Sequence, residues 1–187
     1  MVFAARSILA LALAAVVAGC AGVTVIESEY VASTYHPRFL SSVAKYGGLR
    51  TEIVGNPFNA PKQQVDAAIT RVMSQAHPGP AFPLVTAPDE RAQRSPYHVV
   101  VLFDPGPYMD RARACAGEMR QGEPTAGRIR MLMVFCTSNY GISSLVAELP
   151  SVASPDDPRF AAALRQATPV LMPPVPADPD AAGDWET

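Results

Sequence analysis

The sequence predicts an α+β domain: a two-layer sandwich with two helices on one face of a mostly antiparallel sheet of three to four strands. Apolar residues alternate or run together in three short segments, which is typical of strands, and recur at helical spacing in two longer segments. The predicted order is strand, helix, strand, strand, a further strand and helix. Because the helices are segregated from most of the strands, this order favours the α+β class over a regular alternation of strands and helices.

Three segments carry the strand prediction. Residues 49–53 alternate cleanly, and residues 97–103 form a β-branched and aromatic run of the kind found in a central strand buried on both faces. Residues 128–136 place four large apolar side chains on one face: Ile129, Met131, Met133 and Phe135. A turn is expected at residues 138–141, and residues 142–149 would then pair back as a hairpin.

Two amphipathic helices are predicted around these strands. The first follows an N-cap candidate at Asn59, with its apolar stripe between residues 65 and 76 forming part of the core. The second begins near residues 156–158, where acidic residues precede a first-turn proline. Its inner face is formed by Phe160, Leu164 and Ala167. Pro169 is expected to interrupt this helix, so that residues 170–172 form a separate short segment.

The charge balance argues against a nucleic-acid partner. The 187-residue chain has 15 basic and 17 acidic residues, and four of the acids lie after Pro169, where there is no Lys or Arg. The rest of the chain is therefore close to neutral and lacks the basic excess that phosphate backbones require.

The N-terminal segment resembles that of bacterial lipoproteins. An apolar run over residues 7–17 follows Arg6 and ends in Val17-Ala18-Gly19-Cys20, which resembles a lipobox. The resemblance implies that residues 1–19 are a signal peptide and that Cys20 becomes the lipid-bearing first residue. An ordinary secretory signal and a membrane-spanning anchor are the alternatives, although the run is shorter than the roughly 20 apolar residues that a span needs.

The same resemblance predicts a location. Ala21 follows the cysteine where aspartate often retains Gram-negative lipoproteins in the inner membrane, so the protein is expected at the outer membrane, facing the periplasm. Residues 20–47 are interpreted as a tether with a short helix near residues 37–45, and residues 48–172 as the α+β domain. Residues 173–187 are interpreted as a disordered, acidic, Pro-rich tail.

The two remaining cysteines are expected to pair. Once Cys20 carries lipid, Cys115 and Cys136 are left, and an oxidising periplasm favours a disulfide between them. Two free buried thiols, or a metal or redox site, are the alternatives.

No catalytic, cofactor-binding or metal site is predicted. Ser42 and Lys45 match a Ser-x-x-Lys pattern in which the lysine could take the proton of the serine, but the companion motifs are absent. The three histidines have no metal-ligand spacing, and His98 is interpreted as a structural side chain. Five arginines form a local basic cluster in the sequence that could meet an acidic partner or lipid headgroups: Arg111, Arg113, Arg120, Arg128 and Arg130.

Two weaker family resemblances bear on function. The element order of residues 49–168 and the acidic tail are similar to the small lipoproteins of the lipopolysaccharide-export assembly. The segment Gly55-Asn56-Pro57-Phe58 resembles one in uncharacterised proteobacterial lipoproteins. We expect a non-enzymatic binding or envelope-assembly module with an envelope protein partner and no cofactor. The alternatives are a periplasmic protein that binds lipid or another envelope component, and a hydrolase using Ser42 and Lys45.

Overall fold

The computed structural model describes residues 25–178. Cys20, the signal peptide expected at residues 1–19 and the last residues, 179–187, lie outside the described range. In chain order the strands are β1 (Val25–Val31), β2 (Leu49–Val54), β3 (Leu84–Val85), β4 (Tyr97–Phe103), β5 (Arg128–Thr137) and β6 (Tyr140–Pro150). The helices are α1 (Arg38–Lys45), α2 (Lys62–Ala76), α3 (Glu90–Gln93), α4 (Arg111–Cys115) and α5 (Pro158–Leu171).

The described strands form one six-stranded mixed sheet in the order β1-β6-β5-β4-β2-β3. The β4-β5-β6-β1 part is antiparallel, whereas β2 runs parallel to both β4 and β3. The prediction of three to four mostly antiparallel strands is therefore wrong. β2 and β4 can run in the same direction because the connection between them, which contains α2, is long. It returns the chain to the end of the sheet at which β2 starts.

The two strands missed by the sequence reasoning lie at the edges. β1 has exposed Glu27 and Glu29 and a register irregularity between Ile26 and Ser28, so it lacks the apolar alternation of an inner strand. Charges and bulges are common at sheet edges because they discourage pairing with other chains. β3 has only two residues, too few for any pattern to be visible.

The segment interpreted as a tether is part of the fold from residue 25 onward. β1 pairs with β6, and α1 lies close to the short helix expected there. Ala32, Tyr35, Leu40 and Val43 are buried in the main core. Residues 25–47 are therefore packed into the domain.

Helices cover both faces of the sheet, which corrects the prediction of two helices on one face. α1, α2 and α5 contribute to the main core with one set of strand side chains. On the opposite face, Ala114 and Cys115 of α4 pack with Val100 and Leu102 of β4 and with neighbouring strand residues. As predicted, β4 is a central strand buried on both faces, from His98 to Phe103.

Helix α5 continues through Pro169 instead of ending before it, contrary to the prediction. Pro169 has no backbone N–H and so removes one donor near the end of the helix. The preceding residue makes a side-chain hydrogen bond there, from the Thr168 hydroxyl to the carbonyl of Leu164 at 2.7 Å. The Met172 backbone N–H also donates to the Thr168 carbonyl. The start of the expected tail is fixed as well, since the buried Tyr35 hydroxyl donates to the Pro173 carbonyl at 2.7 Å.

Candidate functional site

A cavity of about 360 Å³ lies on the α4 face of the sheet. β2 contributes Arg50 and Glu52, β4 contributes His98, and the β5–β6 turn contributes Asn139. The end of α4 closes another side through Cys115 and the residues that follow it. Polar and charged side chains from three separate elements thus converge on one space, as in small-molecule sites.

His98 forms the buried wall of this cavity. It lies opposite Cys136 of β5 and beside Arg50 of β2, and only 6% of its surface is exposed. Burial, and to a smaller extent the positive charge of Arg50, lower the pKa of His98 to about 4 against the opposing effect of a hydrogen bond with the Pro96 backbone. The imidazole is therefore neutral at pH 7. Its Nδ1 atom is buried and makes no hydrogen bond of good geometry within the described chain.

A disulfide between Cys115 and Cys136 joins α4 to β5, as predicted, with the two Cα atoms 5.7 Å apart. The local sequence favours α4 at this position: the Asp110 side chain accepts from the Arg113 backbone N–H and caps the helix start. Gly117 (φ +78°) follows the helix end in the left-handed conformation that glycine adopts most readily. The disulfide and the two helix ends therefore hold the α4 wall of the cavity in place.

Arg50 and Glu52 lie on the same face of β2, and neither has an oppositely charged side chain within salt-bridge distance in the described part of the chain. Both also line a second cavity, of about 320 Å³, on the outer side of β2. That side is open because β3 pairs only with Leu49 and Arg50. Glu52 thus lies on the part of β2 whose outer edge is unpaired, and Arg50 lies at the border of that part.

A separate surface, which we call the Tyr–Arg patch, is formed by Tyr30, Arg111 and Tyr140. The Arg111 guanidinium carbon lies 3.7 Å from the centre of the Tyr30 ring, a cation–π contact. The Tyr30 and Tyr140 hydroxyls are 3.4 Å apart, and Tyr140 is 54% exposed. Gly141 is required beside the patch, since a Cβ at this position would lie 2.9 Å from the Arg111 side chain.

Three of the arginines that cluster in the sequence, Arg111, Arg128 and Arg130, contact different partners. Arg128 pairs with Glu148 and Arg130 with Glu27, at the end of the sheet where β1 begins. The hydrogen bond and charge of Arg128 lower the pKa of Glu148. Arg111 instead lies over the ring of Tyr30.

The remaining candidates do not converge on a reactive centre. Ser42 is half-buried and Lys45 is exposed on α1, and no hydrogen bond joins their side chains in the described structure. His36 accepts from the Arg38 backbone N–H, and His77 stacks on Phe82. Residues 25–178 contain no cluster of three or more metal-ligating side chains and no helix long and apolar enough to cross a membrane.

Comparisons with known proteins add little. No family model matches the chain, and no curated protein matches it. Among solved structures, the chain is similar to the PelC dodecamer from Paraburkholderia phytofirmans, with a TM-score of 0.39 and 11% sequence identity. The similarity covers 81% of this chain and 96% of that chain. No family membership follows from this match.

Sequence reasoning missed the cavity residues. The sequence predicts His98 as a structural side chain and does not single out Arg50 or Glu52. Their proximity depends on the parallel β2–β4 pairing, which places Arg50 beside His98. The alternating pattern of residues 49–53 identified the strand but carried no information about its neighbour.

Proposed function

We propose that this protein is a lipid-anchored envelope protein at the periplasmic face of the outer membrane, which acts by binding a partner rather than by catalysis. The observation that carries the proposal is the Cys115–Cys136 disulfide. Structural disulfides persist in oxidising compartments and are rare in the cytosol, so the pair supports export across the inner membrane. The lipobox then accounts for the third cysteine, Cys20, as the attachment site.

The position of β1 supports a domain held close to the membrane. β1 begins at Val25, five residues after Cys20, and such a segment can span at most about 18 Å even when fully extended. Val25 pairs with Glu148, which pairs in turn with Arg130. This end of the sheet would therefore lie near the lipid headgroups.

The C-terminal segment leaves from the opposite end of the sheet. Val31, at the far end of β1, pairs with Ser143, whose hydroxyl donates to the carbonyl of Leu171 at the end of α5. Val25 and Leu171 are thus separated by about the length of β1, about 20 Å at 3.3 Å per residue.

The Tyr–Arg patch is the surface that we propose for an envelope partner. Tyrosine and arginine are enriched among the residues that dominate binding at protein interfaces. Arg111 is already ordered by its contact with Tyr30, so less side-chain freedom would be lost when a partner binds.

The anchor is tested by expressing the wild type and Cys20→Ala in a Gram-negative host. The wild type is expected in the outer-membrane fraction with a mature mass that includes the lipid, whereas the variant loses both properties. A Cys115→Ala/Cys136→Ala double variant is the control, because it keeps the anchor and removes only the disulfide. Unchanged partitioning and mass in Cys20→Ala would contradict the lipoprotein proposal.

The partner surface is tested by placing a photo-crosslinking residue at Tyr140 in the native envelope. A discrete crosslinked species is expected there and is not expected when the same probe replaces Arg165, an exposed residue of α5. The addition of Tyr30→Ala should weaken the crosslink. Equal crosslinking from both positions would show that the patch is not a specific contact.

A further inference from the structure

We infer that Trp185 of the C-terminal tail docks into a proline-lined groove beside the start of α1 in the same molecule. The groove is separate from the anchor and from the Tyr–Arg patch, and the inference depends on neither. Its occupant is a segment of this chain that begins where the described residues end.

The groove lies between the start of α1 and the segment that follows α2, and its volume is about 260 Å³. The buried Leu40 contributes an apolar wall and lies close to Gly79. Four prolines line the remainder: Pro37, Pro78, Pro80 and Pro174. This volume is below the usual range for a small-molecule site and suits one large side chain instead.

The tail runs along this groove before its description ends. Pro174 is itself a lining residue, and the Ala177 backbone N–H donates to the Tyr35 carbonyl at 3.4 Å. Trp185 follows Ala177 by eight residues, which span up to about 28 Å when extended, so the groove is within its reach. Such a short tether gives an effective concentration on the order of millimolar, and even a weak contact would then be substantially occupied.

The side chain of Trp185 matches the lining of the groove. It is the only tryptophan of the chain and the only aromatic residue after Phe160. Proline rings pack well against aromatic faces, as in the grooves that bind proline-rich segments, where the aromatic residues belong to the groove. Here the prolines line the groove, and the tail supplies the aromatic ring.

The charges of the tail and the groove are complementary. Asp184 and Glu186 flank Trp185 in the sequence. Arg38 lines the groove and is exposed, and it makes no salt bridge within residues 25–178. No acidic side chain of the described chain lines the groove. Exposed ion pairs contribute little energy but discriminate between acidic and basic segments, so this groove favours an acidic one.

The test is tryptophan fluorescence of the full-length protein in uncharged detergent micelles, because Trp185 is the only fluorophore of its kind. The reference is a synthetic peptide of residues 178–187 in the same micelles. The protein is expected to emit at shorter wavelength than the peptide and to be quenched by acrylamide at least twofold less. Equal quenching of protein and peptide would overturn the inference. Protection should persist on 100-fold dilution, and its loss would assign the contact to a second copy and overturn docking within one molecule.

Variants locate the indole in the groove. Arg38→Glu and Pro80→Asp should each raise acrylamide quenching at least 1.5-fold, whereas the matched control Arg165→Glu on α5 should leave it unchanged. Glutamate is compatible with the first turn of α1, where the helix dipole favours negative charge, and circular dichroism verifies the fold. Protection retained in both groove variants would place the indole elsewhere and overturn the inference.

Discussion

Acidification should destabilise this domain specifically through His98. Its pKa is about 4 in the folded protein, because the imidazole is buried beside Arg50, and about 6.5 in the unfolded chain. Since the folded value is the lower one, the unfolded chain takes up the proton first as the pH falls. The stability contributed by the neutral imidazole is therefore fully present above pH 6.5 and is lost progressively between pH 6.5 and 4.

The size of the effect follows from the pKa difference. A difference of about 2.5 units at 1.36 kcal/mol per unit corresponds to about 3 kcal/mol lost by pH 4. Globular domains are stable by about 5–15 kcal/mol, so this loss is a large fraction of the total.

The assay compares urea unfolding of the wild type and His98→Gln at pH 7.5 and pH 4, both in a Cys20→Ser background. Glutamine keeps a polar side chain but does not titrate, so subtracting the two pH effects cancels the contribution of the carboxylates. The wild type should lose about 3 kcal/mol more than the variant. Equal losses in the two proteins, or an NMR titration of His98 with a midpoint near 6.5, would refute this reasoning.

Three further perturbations follow from the structure and the anchor. Replacing both Cys115 and Cys136 by alanine should cost about 3 kcal/mol in urea unfolding on the chain-entropy model, and a loss below 1 kcal/mol would contradict a stabilising role. Phe160→Ala should cost about 3–5 kcal/mol, because the ring is fully buried 5.0 Å from the ring of Phe58, whereas the exposed Arg165→Ala should change stability little. Ala21→Asp should move the lipidated protein from the outer to the inner membrane in a density gradient; an unchanged distribution would remove the basis for the outer-membrane assignment.

The inner elements could be predicted from local patterns. An unbroken β-branched and aromatic run predicts β4, and an apolar stripe at helical spacing predicts α2. Both patterns are visible in the sequence because the side chains that face the core are apolar. The disulfide followed from counting cysteines. The edge strand β1 was missed, since Glu27 and Glu29 face solvent and no burial pattern forms there.

Sequence alone determined the lipobox resemblance of Cys20, the near-neutral charge and the identity of the central strands, because each depends on residues close together in the chain. Only the tertiary structure decided that β2 runs parallel to β4 and that α4 covers the second face. Strand pairing is set by packing between distant segments, and local periodicity does not encode it. That pairing places Arg50 beside His98 and creates the cavity, so the candidate site exists only in the folded chain.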